Sequence, residues 1–159
     1  MANFRRVGQF MKGFTLTALL IATSAHGQTV DQVSNALDAI RAHEKLLQVS
    51  FDNLQGMTTG QDADVVRSIG NMLTRFRLSD EIAIAVADLL PHMRDTEDAQ
   101  QARAQLQYSL DTVLQQADLA VKYVNSYMTL LKGAAARAET TKARDEMIMI
   151  REQLRSLKT

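Results

Sequence analysis

The chain has 159 residues and a mass of 17.7 kDa, enough for one domain with a substantial core. Hydrophobic residues make up 46% and charged residues 23%, which excludes wholesale disorder, while one Pro and seven Gly exclude a turn-rich sandwich or barrel. With no Cys and a net charge of zero, disulfides, thiolate metal sites, thiol nucleophiles and a general attraction to nucleic acid are removed together.

The N-terminal 27 residues read as a cleavable signal peptide. Arg5, Arg6 and Lys12 form a positive stretch, Phe14 to Ala22 an apolar one, and Ala25 and Gly27 supply small residues before a cleavage at Gln28. The apolar run is roughly half of the ~20 residues that a bilayer-crossing helix requires, so export without a stable membrane anchor is expected. No Cys follows to carry a lipid. Cleavage removes three basic residues and no acidic residue from a chain with 18 of each, so the remainder is mildly acidic. Residues 28–159 are then expected to form a single helical-bundle domain, exported to the periplasm or beyond and held together by packing alone.

In that domain apolar residues recur with a period near that of a coiled-coil seam. Val33, Ile40, Leu47 and Leu54 mark one line of a first helix over roughly residues 30–55, with Leu37, Glu44 and Phe51 on a second line. Gly56 ends it, Gly56 to Gly60 form the clearest loop, and Asp62 and Asp64 stand where an N-cap and a first-turn acid belong. A second segment carries Val65, Val66, Ile69, Leu73 and Phe76, then Ile82, Val86, Leu89 and Leu90. Leu78-Ser79-Asp80-Glu81 reads as a fresh cap between them, giving two short helices or one kinked one, closed by Pro91.

The third segment is the most regular. Ala99, Leu106, Val113, Ala120 and Tyr127 form one line, and Leu110, Ala117, Val124 and Leu131 the other. The seam loses phase near Gly133, as a turn or a kink, and a last helix follows from a start between Ala134 and Thr141. Its lines are Ala143, Ile150 and Leu157, then Met147 and Leu154. No segment alternates with period two. The expected fold is all-α, an up-and-down four-helix bundle, with a three-helix bundle containing a long helical hairpin as the alternative.

Chemistry is sparse. After cleavage only His43 and His92 remain, and neither follows a Glu at the Glu-x-x-His spacing of a di-iron bundle or completes a His-Glu-x-x-His zinc signature. The Met residues fit core filling better than iron ligation. No Gly-x-Ser-x-Gly elbow or Gly-rich phosphate loop is present. Carboxylates at Asp62/Asp64, Asp95/Glu97/Asp98 and Asp145/Glu146 fall at helix starts or on polar faces, and the mildly basic last helix is mixed in sign. No catalytic, cofactor-binding or metal-binding residue is nominated, and the chain is expected not to be an enzyme.

Two features stand apart from a pure scaffold. Glu44 places a charge in the first seam, where it fixes register or marks a pocket. Tyr108 and Tyr123 fall off the seam of the third helix, and tyrosine combines an apolar body with a polar tip suited to interfaces. The leader, the absence of Cys and the long Ala/Gln-rich helices resemble, in shape and composition, minor pilus components and periplasmic accessory proteins of secretion systems. The expected function is contact with a protein of the bacterial cell envelope, through Tyr108 and Tyr123, as part of a secretion or pilus assembly; self-association is a further possibility. The alternative is a periplasmic bundle carrying a ligand or metal between its helices.

Overall fold

A helix with one apolar stripe gains most of its stability from having that stripe covered, so several such helices must pack on one another. The computed structural model describes residues 30–89 and 97–158; the leader, Pro91 and His92 lie outside them. The described residues form α1 (Val30–Gln55), α2 (Ala63–Leu89), α3 (Glu97–Met128) and α4 (Ala134–Ser156), with no strand among them. Together they make an all-α four-helix bundle. Packing is closest between α1 and α4 and between α2 and α3; contacts of α3 with α4 and of α1 with α2 close the ring, and α2 also meets α4 across it. The chain turns at Gly133, so the three-helix alternative is excluded. No helix among the described residues is long and apolar enough to cross a membrane.

The seams of α1, α3 and α4 are those of the sequence. Ile40, Leu47 and Leu54 of α1, Leu110, Ala117 and Val124 of α3, and Ala143, Met147, Ile150 and Leu154 of α4 are buried in one core. Leu106 and Tyr127 are only half-buried, at its edge.

In α2 the sequence reading is corrected. The helix runs without a break through Ser79-Asp80-Glu81, and no fresh cap forms there. Its buried positions are Val66, Ile69, Leu73, Phe76, Asp80, Ala83, Val86 and Ala87; all but Val86 follow a three-four alternation in which Asp80 occupies a core position. Ile82 and Leu89, expected to face inward, are 55% and 56% exposed. Ala83 and Ala87 carry the lower seam together with Val86, which is buried as expected.

One acid ties the two loops at the same end of the bundle. Asp62 precedes α2, and its backbone carbonyl accepts from Val66 N–H at 2.9 Å. Its side chain does not cap its own helix. Oδ1 accepts from Lys132 N–H at 3.0 Å and Oδ2 from Gly133 N–H at 2.6 Å, so the carboxylate holds the α3–α4 turn. Those two backbone bonds hold the Asp62 carboxyl below its ordinary 3.8. Gly133 is required for the approach, since a Cβ there would lie 2.7 Å from Asp62 Oδ2.

Candidate functional site

Side chains left out of the core gather on the outer side of α2 and α3. Tyr108 is 75% exposed and Tyr123 50%, joined on α3 by Leu119 at 43%, with Leu130 at 58% in the turn just after the helix. At 100° per residue the three helical positions fall within about 60° of arc, a single stripe down the helix. On α2, Leu78, Ile82 and Leu89 are more than half exposed and also fall within about 60°.

Ion pairs show which way these stripes turn. Arg77 of α2 donates to Gln48 Oε1 and so points at α1. On α3, Asp118 accepts from Arg151 and Arg155 of α4, and Asp111 pairs with Lys158 at 2.7 Å. Ile82 lies about 140° around α2 from Arg77, and Leu119 about 100° around α3 from Asp118. Both stripes therefore turn outward on the side made by α2 and α3. Leu119 was not singled out in the sequence, although it stands eleven residues beyond Tyr108 on its own side of the helix, and Ile82 and Leu89 were read as facing inward.

Among the described residues, two polar pairs join α1 to α4 at the rim of the core. His43 Nδ1 and Glu146 Oε2 lie 2.7 Å apart, joining α1 to α4, and Asn53 Nδ2 donates to Glu139 Oε2 at 3.2 Å along the same seam. Glu146 thus crosses to another helix, contrary to its reading as a solvated charge, whereas its neighbour Asp145 pairs with Arg144. Asp64 pairs with Arg67 in the first turn of α2. Asp95 lies outside the described residues, as do the side chains of Glu97 and Asp98.

In the core itself, Asp80 is 1% exposed, and its two carboxylate oxygens have no donor among the described residues. Facing it is the half-buried seam acid Glu44. Burial first, then the Glu44 charge and a hydrogen bond with Glu44, push the Asp80 carboxyl from 3.8 up to about 8, with Arg77 opposing. Two carboxyls satisfy each other only by sharing a proton, with protonated Asp80 donating to Glu44. The seam acid of α1 therefore has a counterpart on α2, which the sequence disguised as a helix cap.

No group of three or more His, Asp or Glu gathers as a metal site among the described residues. A groove of about 430 Å³ between α1 and α2 is lined by residues including Phe51, Val66, Gly70 and Asn71, and Arg67 is its one charged residue. That charge is already engaged by Asp64. Nothing in the groove supplies an acid–base pair or a nucleophile with its base. No protein-family model, curated protein or solved structure matches this chain.

Proposed function

We propose that this chain is an exported, non-enzymatic helical bundle that acts by protein–protein contact, as an accessory component of a bacterial envelope, secretion or pilus assembly. The observation that carries the reading is the exposed stripe on α3, with Tyr108 and Tyr123 in line with Leu119 and with Leu130 exposed in the turn below them. Apolar and aromatic side chains aligned on one outer face, while the core seams are complete without them, are the composition of a contact surface. Export is supported by the leader, with its positive stretch, short apolar run and small residues before Gln28.

Photo-crosslinking side chains placed at positions 108 and 123 test the contact in the intact envelope of the host, with position 142 on α4 as control. Defined adducts from the first two and none from the control are expected. Tyr108→Ser with Tyr123→Ser is expected to abolish the adduct formed from position 119 while leaving helicity and Tm unchanged. A protein purified with a visible chromophore or a stoichiometric metal would replace this reading with that of a carrier. Mass spectrometry of the native chain is expected to find its N-terminus at Gln28 or within about two residues; an intact leader would overturn export.

A further inference from the structure

The outward stripe of α3 is chemically self-complementary. Taken at helical spacing it reads Tyr108, Thr112, Gln115, Leu119, Tyr123 and Ser126, and Leu130 follows in the turn after the helix. All seven are exposed and none is charged. Within the helix the positions are symmetric about Leu119: reversing it superposes Thr112 on Ser126, Gln115 on Tyr123 and Leu119 on itself, and brings Tyr108 against the turn that holds Leu130. Apolar bodies meet apolar bodies, hydroxyl meets hydroxyl, and an amide meets a phenol. A surface that contacts its own copy about a two-fold axis must have this property.

Covering the stripe is also cheap in hydrogen bonds. The Thr112 hydroxyl already donates to the Tyr108 carbonyl and that of Ser126 to the Lys122 carbonyl, each at 3.1 Å. Neither donor is lost when water is removed. The exposed Leu78, Ile82 and Leu89 of α2 widen the surface on the same side. From position 108 to the helix end at 128 the stripe is about 30 Å long, and two adjacent helices are roughly 20 Å wide. The projected area is on the order of 600 Å², approaching the ~800 Å² per partner of a standard interface.

We propose that the partner on this face is a second copy of the chain, bound through an antiparallel pairing of α3 with α3 about a two-fold axis at Leu119. This rests on reading the outer side of α2 and α3 as a contact surface. The absence of Cys makes the geometry directly testable, because any introduced thiol is unique. In the native chain purified from its host, Leu119→Cys is expected to form a disulfide-linked dimer on mild oxidation. Thr112→Cys mixed with Ser126→Cys is expected to cross-link, whereas Tyr108→Cys alone is not, its two copies lying about 33 Å apart. Sedimentation equilibrium is expected to show a dimer, with Leu119→Asp weakening it by about tenfold or more at unchanged helicity.

Cross-linking of equal yield from Asp145→Cys on α4, or from Tyr108→Cys alone, would overturn the pairing. If the chain is monomeric at all concentrations while the photo-crosslinkers at 108 and 123 capture a different envelope protein, the second copy is overturned and the contact surface stands. If they capture nothing and the chain is monomeric, both fall.

Discussion

Three carboxylates act on the pH dependence of this fold, Asp80 with one sign and Asp62 and Glu139 with the other. Asp80 takes up its proton far more readily when folded than at its ordinary 3.8, because burial and Glu44 disfavour its charge. The folded state therefore binds more protons than the unfolded chain between these limits, and stability falls as pH rises from about 4 to about 8. The slope in that window approaches ~1.4 kcal/mol per pH unit. Asp62 and Glu139 are held below their ordinary 3.8 and 4.5, Asp62 by the Lys132 and Gly133 backbone N–H groups and Glu139 by Lys142 and Asn53. Their contributions are present above those ordinary values and are lost as pH falls through the lowered ones. Urea denaturation across pH is expected to show greatest stability near about pH 4–5, and Asp80→Asn is expected to flatten the limb on the alkaline side. A stability that is level from about pH 5 to 8 in the unaltered chain would mean that Asp80 and Glu44 share no proton. Gly133 offers a second test at this scale. Since its Cβ would meet Asp62 Oδ2 at 2.7 Å, Gly133→Ala is expected to be as harmful as Asp62→Ala, and the double variant little worse than either. Additive losses in thermal melts would show that Gly133 serves some other purpose.

At the scale of the helices, α2 shows what the sequence pattern conveys and what it conceals. Size and apolarity drew the reading to Ile82 and Leu89, which lie outside, whereas the seam runs through Asp80, Ala83 and Ala87. Asp80 and the two alanines give almost no hydropathy signal, so in the lower half of the helix only Val86 and the three-four spacing from Val66 onward marked the seam. In α1, α3 and α4 large apolar residues occupy the seam, and there spacing alone placed the core. The tyrosines of α3 were legible as off-seam positions, but the leucine aligned with them was not, because an exposed leucine is indistinguishable in sequence from a buried one. The α2 register is open to measurement. Phe76→Ala is expected to cost ~3–5 kcal/mol and Ile82→Ser to stay within about 0.5 kcal/mol. The reverse order in chemical denaturation would restore the broken-helix reading. In α3, Leu110→Ala is expected to cost ~2–5 kcal/mol, whereas Gln115→Ala falls within about 0.5 kcal/mol.

Over the whole molecule, the first and last helices form one of the two closest pairs. The Ile40, Leu47 and Leu54 seam of α1 and the Ala143, Met147, Ile150 and Leu154 seam of α4 lie in one core, joined at the rim by His43 with Glu146 and Asn53 with Glu139. These contacts join distant parts of the sequence, and the connecting turns contribute little to holding α1 against α4. With no disulfide to supply a local constraint, the bundle gains its core only when α4 docks. Ending the chain at Lys132 would leave the α1 seam facing water, remove the turn that Asp62 grips, and strip α3 of the Arg151, Arg155 and Lys158 pairs to Asp118 and Asp111. Such a truncated chain is expected to lose its cooperative thermal transition and to bind a hydrophobic dye, while the full chain melts in a single step with coincident far-ultraviolet and fluorescence signals. The alternative is a stable three-helix remnant in which α1 closes directly onto α3. A sharp melt of the truncated chain would show that α4 is an appended helix, and that the α2–α3 pair with α1 holds the core by itself.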